Sequence, residues 1–156
     1  MTYYKESQSF ITKWVILLIL LLLGILLYDL YSQYQSVKSV ELGVSFWALM
    51  LVILCLVGIR LHVTIDETGI QLKFFPFVRH KVWKWTDMDH VYVTEYSLLD
   101  YGGWGYRVGR EGIAYTTKGR YGIQLVLKNG RKVLIGIQDP ERLKPIVSRY
   151  FGQVNE

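Results

Sequence analysis

Two unbroken apolar runs dominate the first sixty residues, and alternation of apolar and polar positions takes over after them. Trp14 to Leu27 is interrupted only by Gly24 among large apolar side chains. Taken as Lys13–Tyr31 and wound into a helix at about 1.5 Å per residue, this run covers roughly 28 Å, the thickness of a hydrocarbon core. Leu42–Leu61 is the second run, and the polar segment Asp29–Glu41 is long enough to turn the chain between antiparallel helices. The pattern predicts a membrane α-hairpin over 14–61, with helices at about 13–31 and 42–61 and an external loop. Trp14, Tyr28, Tyr31 and Trp47 take interfacial positions, and Arg60 snorkels to the headgroups. Neither run carries a charge near its middle, which argues against an ion or proton pathway. Residues 1–13 are polar and read as a short flexible cytoplasmic head.

After Leu61 the period becomes two. Leu61, Val63 and Ile65 alternate with His62, Thr64 and Asp66, and Ile70, Leu72 and Phe74 repeat the pattern after a Glu67-Thr68-Gly69 turn. Further strands are expected at His80–Trp85, Val91–Tyr96, Gly105–Val108 and Gly112–Thr116. Gly122–Lys128 then pairs with Arg131–Ile137 through Asn129-Gly130, a strong hairpin signal. The chain closes on a helix: Asp139 suits the N-cap, Pro140 the first turn, and Leu143, Ile146, Val147 and Tyr150 make one apolar stripe. Pro145 either kinks that helix or begins it. The fold class expected is a membrane α-hairpin followed by a mostly-β domain over 62–156. About seven antiparallel strands would form a partly open barrel or sandwich capped by the terminal helix.

Charge sets the orientation. Lys5 and Lys13 precede the first run, Lys38 alone lies in the loop, and Arg60, Lys73, Arg79, Lys81 and Lys84 follow the second. The positive-inside rule therefore places both termini and the β domain in the cytoplasm. No small-residue cleavage site follows the first run, so a retained helix is expected rather than a cleaved signal. From Leu61 to Glu156 there are 14 Lys/Arg against 10 Asp/Glu, a balance of +4. That is too mild and too interleaved with acids for a nucleic-acid partner; anionic lipid is the more economical expectation. The single Cys55 excludes an intramolecular disulfide.

Candidate chemistry is sparse. Gly103-Trp-Gly105-Tyr-Arg-Val-Gly109 has the wrong spacing for a dinucleotide fingerprint and sits in no βαβ unit. Its aromatics Tyr101, Trp104 and Tyr106 either pack back on the sheet or form a recognition surface. Arg107, Arg110, Lys118 and Arg120, continuing to Lys128, Arg131 and Lys132, make a basic run relieved only by Glu111, of which strand pairing could gather several on one face. It is either a solvated face or a contact for anionic headgroups. His62, His80 and His90 lack zinc-ligand spacing. Asp87, Asp89, Glu95 and Asp100 have no nucleophile or base beside them. No catalytic, metal or cofactor site is expected.

Ile65–Leu72, Trp85 with Asp87, the Gly/Trp-rich middle and GIQLVLKNGRKVLIGIQDPERL together resemble the bacterial pleckstrin-homology-like domains that follow a two-helix membrane hairpin. The resemblance covers nearly the whole chain and implies architecture without assigning a ligand or catalytic residues. The function expected is a non-enzymatic membrane-anchored module that binds a protein partner or lipid headgroups in a bacterial cytoplasmic membrane. The competing expectations are a small-ligand protein or enzyme with an aromatic pocket near residues 96–106, and an accessory subunit of a membrane complex.

Overall fold

The computed structural model describes residues 4–38, 42–97, 105–109 and 112–151. The chain divides into two compact units, one of Ser9–Ile59 and one built from Arg60 onward together with the residues up to Gln8.

In the first unit, α1 runs from Lys13 to Val37 and α2 from Val44 to Gly58. Thr12 caps α1, its hydroxyl accepting from the Val15 N–H at 3.5 Å. Lys38 ends it in a left-handed conformation, its N–H donating to the Tyr34 carbonyl at 2.9 Å. With 25 residues and an 18-residue stretch of mean hydropathy 2.5, α1 is long and apolar enough to cross a membrane. Two boundaries differ from the expected hairpin. The first helix continues past Tyr31, because Asp29–Val37 contains no helix breaker and Gln33 bonds back to Asp29 at 3.1 Å. The second is only 15 residues long, because Arg60 and Leu61 are drawn into a strand.

The second unit holds two sheets and a terminal helix. The first sheet has the order β1-β2-β3-β4, formed by Tyr4–Ser9, Arg60–Ile65, Gly69–Phe75 and Val78–Lys84. The second has the order β5-β8-β9-β7-β6, formed by Met88–Glu95, Tyr121–Leu127, Lys132–Ile137, Gly112–Thr116 and Gly105–Gly109. Alternation works as expected in β2 and β3, where Leu61, Val63, Ile65, Ile70, Leu72 and Phe74 are all fully buried. Asp66 shapes the turn between them by accepting the N–H groups of Thr68 and Gly69 at 2.8 and 3.2 Å. The Asn129-Gly130 turn also forms, with Gly130 at φ 79° and the Leu127 N–H donating to the Arg131 carbonyl at 2.9 Å.

Three features depart from expectation. Residues 1–13 are not simply a flexible head: Tyr4–Ser9 is the outer strand of the first sheet, with Tyr4 and Gln8 buried. The described residues contain nine strands rather than about seven, in two separate sheets. The pairing is not all antiparallel, since β9 enters between β8 and β7 and runs parallel to β7, Ala114 beside Leu134. The Asn-Gly turn folds β9 back on β8, and the short link 117–120 leaves a strand-wide slot for it. A parallel pair needs a crossover of a dozen or more residues, and here β8 itself serves as that crossover.

The last helix, α3, spans Pro140–Phe151 and passes through Pro145 without a break. Asp139 caps it, accepting the Arg142 N–H at 3.1 Å. Pro145 and Glu141, whose carbonyl lacks its helical donor, both face solvent, which makes the lost bond tolerable. Leu143, Ile146 and Val147 are buried as the stripe requires, and Tyr150 stacks on Trp85 at 5.6 Å.

Candidate functional site

Strand pairing splits the basic run instead of gathering it. Lys118 and Arg120 lie in the β7–β8 link, while Lys128 and Arg131 lie in the β8–β9 turn. The seven residues of β8 separate these ends by roughly 20 Å. Arg107 and Tyr106 are consecutive on β6 and therefore project from opposite faces of the sheet. Tyr101, Trp104 and Arg110 lie outside the described residues.

Tyr106 belongs to a row of rings between the sheets. Phe77 stacks on it at 6.5 Å, Tyr115 approaches it at 5.4 Å, and Trp83 meets Tyr115 at 6.0 Å. Tyr106 thus packs against two rings while 40 % of it remains exposed. At the Trp83 end of this row a cleft of about 460 Å³ opens between β4 and β6, the edge strands of the two sheets. Its lining includes Lys81, Trp83, Val108, Arg131 and Lys132, with backbone from Gly109, Gly112 and Gly130. None of its described lining residues is acidic. Lys81 is held in place: its ammonium lies 5.2 Å from the Trp83 ring centre and donates to the Tyr115 hydroxyl at 3.5 Å.

Lys81 and Trp83 escaped the sequence reading as site residues because HKVWKW looked like a loosely patterned strand. The available signal was an acid-free, Lys/Trp-rich stretch between Glu67 and Asp87.

The other candidates fall elsewhere. Trp14, Tyr28, Tyr31 and Trp47 are exposed on the helices, and Arg60 opens β2 rather than ending a helix. His62 lines a polar hollow of about 440 Å³ on the first sheet with Lys5, Thr64, Asp66, Gln71 and Lys73. His80 contacts Gln71 at 3.3 Å, and His90 contacts Asp89 at 2.8 Å. Among the described residues no group of three His, Cys, Asp or Glu is placed to hold a metal.

A buried polar cluster joins β1 to the second sheet. The Gln8 amide donates to the Gly136 carbonyl at 2.9 Å and accepts from the Thr117 hydroxyl. The Glu6 carboxylate accepts from the Tyr4 hydroxyl, the Gln8 amide and, at 3.1 Å, the Gln138 N–H. Burial, reinforced by the bond to Glu6, raises the Tyr4 pKa far above its ordinary value.

Burial likewise pushes Tyr96 up to about 12, with the Thr116 hydroxyl opposing it, and Tyr115 up to about 12, with Tyr106 adding to the shift. Unfolded tyrosines ionise near 10. These raised values favour the folded state while the rings are neutral. The contribution is complete below about pH 10 and is lost as the pH rises towards about 12. Tyrosinate absorbance should therefore show Tyr4, Tyr96 and Tyr115 ionising after the other tyrosines, together with unfolding. Early, non-cooperative titration of all 12 tyrosines would contradict this burial.

The site thus sits in a two-sheet β unit with a terminal helix, and the chain's other unit is apolar and helical. The chain matches no known family model and no curated protein sequence.

Proposed function

We propose that this protein is a membrane-anchored, non-enzymatic module whose β unit holds an acidic, extended segment of a protein partner. In this reading α1 and α2 form a membrane hairpin and the β unit, pleckstrin-homology-like in architecture, faces the cytoplasm. The hairpin draws support from the spanning length of α1 and the apolar α2. The cytoplasmic placement rests on the excess of Lys and Arg outside the 29–41 loop. The two sheets and the amphipathic helix after them support the fold assignment.

The observation that carries the binding function is the cleft. Lys81 and Arg131 line it, with no acid among its described lining residues, which favours a negatively charged occupant. Both strands flanking it are sheet edges, so backbone N–H and C=O groups are available to an added strand. Trp83 supplies an apolar floor.

The test is photo-crosslinking in cells from a benzophenone amino acid at Val108, which is 69 % exposed at the cleft. A discrete protein adduct should form and be lost in Arg131→Glu/Lys132→Glu but persist in Lys5→Glu, on the other sheet. An adduct indifferent to the double reversal, or no adduct from Val108, would refute the proposal.

A further inference from the structure

The hairpin between β3 and β4 ends in Phe75-Pro76-Phe77, and both phenylalanines project into solvent, 62 % and 54 % exposed. Phe77 meets Phe74 at 5.3 Å and Tyr106 at 6.5 Å yet stays more than half exposed, and Phe75 is more exposed still. Their position in the chain gives them a use. Arg60, the first residue of β2, pairs with Phe75 in the strand ladder. Only Ile59 separates Arg60 from the last residue of α2, Gly58. Consecutive Cα atoms lie about 3.8 Å apart, so the end of the apolar helix is within two residues of Phe75's ladder partner. The N-terminal crossing is alongside, since the Phe10 N–H donates to the Ile59 carbonyl at 3.3 Å.

The surrounding chemistry is one-sided. From Thr68 to Thr86 the chain carries no Asp or Glu, while Lys73 and Arg79 supply positive charge within two residues of the turn's phenylalanines. Arg79 is exposed just beyond the turn, and Arg60 is exposed beside Phe75. Tyr106, stacked on Phe77 and 40 % exposed, widens the aromatic face. Exposed aromatics flanked by Lys and Arg are suited to the headgroup boundary of an anionic membrane, where rings reach the acyl region and cations meet phosphates. The cleft residues are elsewhere. Lys81 pairs with Leu72 at the middle of the β3–β4 ladder, and Arg131 belongs to the turn at the opposite end of β8 from Arg120.

We infer that the Phe75-Pro76-Phe77 turn is a second membrane contact, a wedge that dips into the bilayer interface beside the anchor and fixes the tilt of the β unit. The occupant is the lipid surface itself. The inference rests on α1 being a membrane span, and the following experiment reports on the two separately.

The full chain, with Cys55→Ala, is labelled with an environment-sensitive fluorophore at Phe77→Cys, and in a second variant at Phe75→Cys. Each is reconstituted in vesicles of phosphatidylethanolamine and phosphatidylglycerol. Labels at Leu21→Cys in α1 and His90→Cys on the far part of the β unit are the references. Nitroxide lipids carrying the spin near the headgroup should quench both turn labels several-fold more than the His90 label, while aqueous iodide does the reverse. Turn labels that follow His90 overturn the wedge whatever Leu21 reports. If Leu21 is then quenched by deep nitroxides, only the wedge has failed; if Leu21 is also open to iodide, the membrane span has failed with it.

Discussion

Replacing Gln8 with leucine should destabilise the β unit by about 3 kcal/mol, a large share of the stability of a domain this size. The reason is what Gln8 leaves behind. Its amide is 1 % exposed and bonds the Gly136 carbonyl and the Thr117 hydroxyl, both more than one hundred residues away. Leucine fills similar volume but leaves an acceptor and a donor buried without partners, and each such group costs about 1–3 kcal/mol. Ser7, the next residue back, is exposed on the same strand, so Ser7→Ala should stay within about 0.5 kcal/mol of the parent. Denaturant unfolding of the full chain in detergent, followed by tryptophan fluorescence, measures both. Equal stability of the two variants would mean that β1 is not part of the folded unit. The same logic predicts that a fragment beginning at Arg60 will be poorly folded, because it lacks the outer strand of its first sheet.

Gly112→Ala should be at least as damaging, and for a different reason. Gly112 has φ 119°, a backbone region closed to side chains, and a Cβ there would lie 2.2 Å from the Lys132 carbonyl oxygen. That oxygen belongs to β9 at its junction with β7, so relief of the clash requires the parallel pair to part. Conformational strain and overpacking together exceed roughly 3 kcal/mol. Gly130 provides the comparison: its φ is 79°, but nothing lies within 4 Å of its Cβ position. Gly130→Ala should therefore cost only the left-handed backbone penalty of about 1 kcal/mol. Thermal unfolding distinguishes the two, and equal losses would show that close approach of β9 contributes nothing at Gly112. Because Gly112, Gly130 and Lys132 all border the cleft, the Gly112 variant should also lose the Val108 crosslink.

Much of the β unit was legible locally. Alternation marked β2 and β3, Asn129-Gly130 marked the β8–β9 hairpin, and Asp139-Pro140 marked the start of α3. Each signal lies within a few residues of the feature it specifies. The missed strand β1 shows the limit. Its inward positions Tyr4, Glu6 and Gln8 are mostly polar, so hydrophobic periodicity reads the segment as solvated. It is held by hydrogen bonds to Gly136, Thr117 and Gln138, whose complementarity no local pattern displays. Pro145 illustrates the reverse case, where a local rule forbids too much. A proline is accepted in α3 because the orphaned carbonyl faces water.

The candidate site was less legible than the fold. A basic run in sequence suggested one face, yet β8 sends Lys118 and Arg120 to one end of the sheet and Lys128, Arg131 and Lys132 to the other. Lys81 and Trp83, some fifty residues upstream, complete the cleft from the neighbouring sheet.

By itself, the sequence determined the apolar helix that can span a membrane, the period-two strands after it, the tight turns and the capped terminal helix. These follow from side-chain spacing and backbone preference over short distances. Only the tertiary structure decided that Tyr4–Ser9 joins the first sheet, that β9 enters parallel beside β7, and that two edge strands leave a basic cleft between them. Backbone N–H and C=O groups are the same in every strand, so a strand's choice of neighbour is decided by which distant side chains can be buried and satisfied together.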